Sequence, residues 1–568
     1  MKLKWKSKKT NSLVFLSNLF FYKVESKNSQ TQNKLKPIWF HILILFFLAV
    51  IIFTFSKFDY KLNSYFGFQN FYKNVFKFFQ IKNESTYLGK TNLALDSLSY
   101  LWVSIKYAIV GTFIGFVIAI FTAFLSSSKL NNFWLALIIK NLILLIRSIP
   151  ELLFITLFNQ TFFREFALIL IYLWFSWLWL HKYFLETIES LDLTTFYVSK
   201  YQGNSSFYAF RKEILSRLWN KFIVLFLYSF ESNIRWVSIL SALGAPGIGV
   251  LINYAAISSN NIDQLAIPLI FLFLFIVFIE LFNYFFNKYI LEWNSKTLKT
   301  NDYQKLAKTF NYKSVIKLLF FSAIAIFSIY QLITINKDYL LNGFFSSYLN
   351  NFFKPDWSVF NISSNSISLN PFLQIFQIYG FALATLVICL FVTFWFLPFI
   401  SKNNNNVWSS LFVKFLNIFL RIFPSLVLFY VFSNIVFSPA TLLVFVIGIT
   451  ASSSLNKQLS EVIDNLDNEV IQNLKYQGYS KFKIFFSYIL PSIKVEFFLL
   501  AMFYFEIFFR SSITYSFLAN DGLALGSNMY FHLQEKSFNP NKAFAYMWVI
   551  VLNIFFINNA ARILKLVI

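Results

Sequence analysis

Two acid-base pairs stand inside stretches that are otherwise apolar, and their spacing is the first chemistry the chain offers. Glu231 precedes Arg235 by four residues, and Glu506 precedes Arg510 by four. On a helix this puts each pair on one face, acid first, which is the favourable order. A second kind of site joins charge to a helix breaker. Arg147 and Pro150 occur within Arg147-Ser148-Ile149-Pro150-Glu151, and Arg421 and Pro424 repeat the spacing. Charges in apolar segments are expensive, so such pairs either line a polar pathway, with the Arg open to an anionic solute, or neutralise themselves and fix helix packing. The packing role takes precedence for Glu231 with Arg235 and Glu506 with Arg510, because each acid has a base one turn away. A proline within a span frees a carbonyl and kinks the helix. That suits a gate or cavity wall, and equally the bent cytosolic start of a span.

The elements that must position these residues are membrane spans. With 57% hydrophobic, 22% aromatic and 13% charged residues over 568 positions, a soluble globular chain is excluded. Apolar stretches of about 20 residues, enough to cross the hydrocarbon core, recur throughout. The alternating short segments of a transmembrane barrel are not seen. The fold class is therefore an all-α polytopic membrane protein with about 12 transmembrane helices. Spans are expected near 38–55, 101–125, 133–158, 166–183, 222–243, 265–286, 315–335, 372–398, 408–434, 438–455, 495–519 and 544–566. Residues 1–36 hold nine Lys against the single acid Glu25, so they read as a basic cytosolic tail that places both termini inside. The Lys-rich loop 57–97 then falls outside.

Other chemistries are poorly served. The net charge of +24 lies on loops and the N-terminus, which argues against a nucleic-acid partner. Cys389 is the single cysteine, and His41, His181 and His532 are scattered, so neither a disulfide nor a metal site is indicated. Gly89-Lys90-Thr91 looks like the end of a phosphate-binding loop, but Glu84 stands where that loop needs Gly. No cofactor is expected on this chain. If ATP drives it, ATP and Mg belong to another chain.

The organising feature is a polar stretch that occurs twice, at 184–218 and 459–494. Glu186 matches Glu461; Tyr201, Gln202 and Gly203 match Tyr476, Gln477 and Gly478; Ser205 matches Ser480, and Leu215 matches Leu490, all at a spacing of 275. Glu231 and Arg235 match Glu506 and Arg510 at 275, and Arg147 and Pro150 match Arg421 and Pro424 at 274. Such a period means duplication. Two six-helix repeats in parallel orientation are expected, at 37–290 and 315–568, joined by a cytosolic linker at 291–314. Within each polar stretch the glycine ends one helix and the serine caps the next. Pro491 is suited to start a further helix; Ser216 stands at its place in the first copy. A two-helix element between spans has the shape of a docking element.

These residues resemble a family. A loop with Gly followed by a short helix ending in Leu-Pro is similar to the EAA loop of binding-protein-dependent ABC importer permeases, although Tyr197-Val198-Ser199 and Gln472-Asn473-Leu474 replace Glu-Ala-Ala. The segments IRSIPELL and FESNIRWVSILSALGAPGIG resemble the phosphonate-type permeases. The fused, duplicated form resembles the permeases of mycoplasmal high-affinity transport systems. The resemblance implies a membrane subunit with two copies of an ABC ATPase and an extracellular solute-binding lipoprotein as partners. It also implies that the two loops couple the ATPase to the spans, and that the solute is a small anion such as a phosphonate or phosphate ester. The rival readings are an ion-gradient-driven secondary transporter with two parallel six-helix halves, and a polytopic membrane enzyme. Two matching docking elements disfavour both.

Overall fold

The computed structural model describes residues 21–25, 31–63, 65–258, 260–291, 312–340, 343–401, 404–520 and 522–567. Most of the expected tail and of the expected 291–314 linker lies outside them. The chain divides into two units, residues 1–59 and 60–568. In the first, strands β1 (Phe21–Glu25) and β2 (Thr31–Leu35) pair antiparallel with Phe21 opposite Leu35. The apolar helix α1 (Pro37–Ser56) follows, with its proline in the first turn, where a missing N–H costs nothing.

The second unit opens with α2 (Tyr65–Phe78) and a hairpin of β3 (Glu84–Ser85) and β4 (Thr91–Asn92). Gly89 and Lys90 both have positive φ between those strands, so Gly-Lys is a turn and Thr91 opens β4. The first repeat then runs through α3 (Leu93–Ser126), α4 (Phe133–Ser148), α5 (Glu151–Thr161), α6 (Arg164–Glu189), α7 (Thr194–Tyr201), α8 (Ser216–Arg235) and α9 (Ala266–Phe286). After α10 (Tyr312–Thr334) and α11 (Phe344–Asn351), the second repeat runs through α12 (Pro371–Ile400), α13 (Val407–Ile422), α14 (Ser425–Phe432), α15 (Pro439–Asp464), α16 (Asn468–Tyr476), α17 (Lys494–Thr514) and α18 (Pro540–Val567).

Among the described residues eight helices are long and apolar enough to cross a membrane, or ten if each of two bent pairs is one span. The bent pairs are α4 with α5, at 77°, and α13 with α14, at 76°. The proline positions explain both. Pro150 and Pro424 are the N-cap residues of α5 and α14, where the chain leaves helical geometry. The kink expected from a proline within a span is therefore present in both, as a full break between two helices. The expected fifth span is also broken, because α8 ends at Arg235 and a separate helix, Val237–Ala242, follows Trp236. The polar residues of α8 make it too charged to pass as an apolar span.

Each repeat is built on one tight helix pair, α3 along α6 and α12 along α15. Gly111 and Gly115, one turn apart on α3, permit the first. A Cβ at Gly111 would lie 2.7 Å from the Ile169 carbonyl oxygen, and one at Gly115 2.7 Å from that of Leu173. Close backbone approach through small residues is how helices associate where lipid removes the hydrophobic drive.

The repeats interlock. Span α10 leaves its own repeat and packs on α3 of the first, with the Phe321 ring 5.3 Å from Trp219, 5.6 Å from Phe226 and 5.7 Å from Phe116. The segment after it pairs with the end of α5, where the Leu340 amide donates to the Thr161 carbonyl at 2.8 Å and the Phe163 amide to that of Asp338 at 3.2 Å. The segment before α2 does the same at the end of α14. There the Asn63 amide donates to the Ile435 carbonyl at 2.7 Å and the Phe437 amide to that of Lys61 at 3.0 Å. Each repeat thus carries a strap across the other's broken span.

Candidate functional site

The two polar stretches are built as their sequence requires. Asp192 accepts from the amide and the hydroxyl of Thr194 at 3.1 and 2.6 Å, opening α7, and these two donors hold its carboxyl below the usual range. Asp467, 275 residues on, caps α16 by accepting from the Glu469 amide at 2.9 Å. Gly203 and Gly478 then turn the chain at φ +89 and +82, with open space around each. Ser205 accepts from the Tyr208 amide at 3.2 Å and Ser480 from the Lys483 amide at 3.3 Å, as N-caps of the next helices.

Those second helices pass into a π-turn in both copies, Phe210–Leu215 and Phe485–Ile489. Leu215 closes the first, and Leu490 follows the second. Pro491 does not begin an independent helix, because Leu490–Ser492 continues from the π-turn and the chain breaks at Ile493. The π-turn does not depend on the proline, since the first copy has one with Ser216 at that place. Phe196, Phe210 and Ile214 are buried in a core cluster with Phe184 and Phe222, so one face of the first element is anchored to the spans. The other face presents Tyr201, which is 90% exposed, as Tyr476 is at 86%. Gln202, Gln477, Glu186 and Glu461 are exposed as well.

The intramembrane charges meet between the repeats. A cavity of about 340 Å³ is lined by Arg147, Arg235, Arg421 and Arg510, by Glu151 and Glu506, and by Pro424. Polar groups such as Ser229, Asn233, Thr450 and Gln458, and rings such as Trp174 and Trp236, complete the lining. Glu506 binds Arg510 of its own helix at 2.8 Å and Arg147 of the other repeat at 3.2 Å. Glu231 lies 3.6 Å from Arg235 of its own helix and 3.6 Å from Arg421 of the other repeat. The expected pairing within one helix is present in both cases, and a partner from the other repeat is added to it. Both carboxylates are shared across the interface, because the break at each proline ends a helix with its Arg facing the opposite repeat.

The two clusters differ in detail. On the α4 side, Arg510 also donates to the Arg147 backbone carbonyl at 2.6 Å, taking up an acceptor that the end of α4 leaves free. On the α13 side, Arg421 also pairs with Glu280, and Lys457 lies 4.0 Å from Glu231 and 3.9 Å from Glu280.

Sequence reasoning missed several members of these clusters. Lys182 and Lys457 repeat at 275, as do the aromatic residues Tyr228 and Phe503, and the pairs cross over. Lys182 sits over the Phe503 ring at 4.2 Å and Lys457 over the Tyr228 ring at 5.3 Å, each reaching the other repeat. The 275-residue period was sufficient to find them. Glu280, an acid within an apolar helix, could have been found by charge alone; Phe555 stands at its place in the second repeat.

No solved structure matches this chain significantly. The chain is 29% identical over 491 residues to the ABC transport system permease protein p69 of Mycoplasma pneumoniae, covering 85% of this chain and 86% of that protein. It is likewise 29% identical over 488 residues to the ABC transport system permease protein p69 of Mycoplasma genitalium, covering 84% and 85%. A family model matches twice, at residues 96–292 and 395–568, each match taking in one polar stretch and one of the Glu–Arg helices, and on that ground the chain belongs to the family of binding-protein-dependent transport system inner membrane components.

Proposed function

We propose that this chain is the membrane permease subunit of an ATP-driven importer and forms, by itself, the pathway for a small anionic solute. The observation that carries the reading is the cavity between the repeats, around which Arg147, Arg235, Arg421, Arg510, Lys182 and Lys457 stand against Glu151, Glu231, Glu280 and Glu506. An excess of fixed cations in a site shielded from water favours an anion strongly, since Coulomb attraction grows as the dielectric falls. Guanidinium is suited to a phosphonate or phosphate ester because its planar fork donates two hydrogen bonds to such a group. The elements at 184–218 and 459–494 are the cytosolic docking sites for two copies of an ABC ATPase, and an extracellular binding protein delivers the solute. Their exposed faces and buried undersides support that role, since a docking element must be anchored to transmit force.

The test is uptake into vesicles holding the full chain with its ATPase and binding protein. Accumulation of a labelled organophosphate or phosphonate that requires ATP inside the reconstituted ATPase compartment, and that is lost in Arg235→Ala, is the expected result. Uptake driven by an ion gradient without ATP would replace this reading with a secondary transporter.

A further inference from the structure

The carboxylates that bridge the two repeats have a feature that a purely structural ion pair does not require. Each one, Glu231 and Glu506, takes a guanidinium from its own helix and a second from the opposite repeat. The opposing Arg in each case ends a helix that stops at a proline break and turns through 77° or 76°. Around these bridges cations outnumber acids: Arg147, Arg235, Arg421, Arg510, Lys182 and Lys457 face Glu151, Glu231, Glu280 and Glu506. Donors are also left over. The Nε–H groups of Arg235, Arg421 and Arg510 are buried with no hydrogen-bond acceptor. Both carboxylate oxygens of Glu231 are likewise buried without a hydrogen bond, so its contacts with Arg235 and Arg421 at 3.6 Å are ion pairs without hydrogen bonds.

We propose that Glu231 and Glu506 are resident counter-anions that latch the two repeats together across the cavity, and that the anionic group of the solute replaces them on Arg147 and Arg421, so that binding itself releases the latch. The bound anion and the tethered carboxylate compete for the same guanidiniums, so the site is never left with bare buried cations. A ligand shifts a conformational equilibrium only by its differential affinity for the two states. Here the difference arises because the anion can engage the cross-repeat Arg only after the carboxylate has given it up. The chemical identity of the replacing anion rests on the importer reading above; the latch does not.

The experiment is done on the full chain in lipid nanodiscs, without partners. Spin labels are placed at Tyr201→Cys and Tyr476→Cys, both highly exposed, with the buried Cys389 retained. The solute-free protein is expected to give one narrow distance. In Glu231→Gln/Glu506→Gln a second population should appear and dominate, because removing one partner of a buried pair moves such an equilibrium roughly a hundredfold or more. Inorganic phosphate should shift the unsubstituted protein toward the same second distance, beyond any effect of chloride at equal ionic strength. An unchanged distribution in the double variant overturns the latch. Should that variant not fold, the phosphate titration decides alone, and no shift beyond chloride overturns the replacement. Either negative leaves the importer reading standing, because ATPase binding and uptake are measured separately.

Discussion

Arg421 carries more of the interface than its counterpart Arg147. Without Arg147, Glu506 keeps Arg510 at 2.8 Å. Without Arg421, Glu231 keeps only the longer contacts to Arg235 at 3.6 Å and Lys457 at 4.0 Å, and Glu280 keeps Lys457 at 3.9 Å. Removing one partner from a buried pair costs roughly 3–5 kcal/mol, most of it from the charge left behind. Arg421→Gln should therefore lower the melting temperature of the detergent-solubilised chain clearly more than Arg147→Gln. Equal losses, or the reverse order, would show that the second carboxylate does not depend on Arg421. At this scale the sequence was informative about which residues mattered and silent about whom they meet. Glu231, Arg235, Glu506 and Arg510 stood out by charge, period and spacing, and the helical partner at four residues is a local fact. The partner from the other repeat is 359 positions away for Arg147 and Glu506, and nothing local encodes it.

At the scale of elements, the backbone of the two polar stretches was legible nearly to the residue. Gly203 and Gly478 do adopt the left-handed backbone, and Ser205 and Ser480 do cap. Holding a non-glycine residue there costs about 1–2 kcal/mol, and more for a β-branched one. Gly203→Val is expected to uncouple ATP hydrolysis from uptake while the chain stays at normal levels in the membrane, with Gly203→Asn close to normal. Unchanged coupling in Gly203→Val would count against the docking geometry. Gly478→Val should strain the backbone as much, since φ is +89 at one glycine and +82 at the other and both are open. The anchoring face makes a separate prediction. Phe196, on the inner face of α7, is fully buried, so Phe196→Ala should cost roughly 3–5 kcal/mol and expose the loop to limited proteolysis before the spans unfold. Simultaneous loss of both would mean that the loop has no stability of its own. The π-turns were not legible, because no residue type marks them. They follow from continuing a helix into a span whose register is set elsewhere.

At the scale of the whole molecule, the twelve expected spans correspond to eight long helices, the two bent pairs, α1, and α8 with the short helix after Trp236. The apolar runs located them because bilayer thickness sets their length. The breaks were only half legible: Pro150 and Pro424 signalled a kink, but the size of each turn depends on what packs against it. The straps were hidden altogether, since backbone pairing at Leu62 with Val436 and at Phe162 with Tyr339 leaves no mark in residue type. Together they make two repeats that hold one another at both the charge clusters and the strapped ends. If both polar stretches dock an ATPase, as proposed, one copy of the chain is sufficient for two ATPase subunits. The most direct test is the number of ATPase subunits bound per chain, read by native mass spectrometry of the gently solubilised complex. Two ATPase subunits on one copy of this chain is the predicted result. One chain with a single ATPase, or two chains sharing two, would contradict the account, because one docking element of each chain would then be idle.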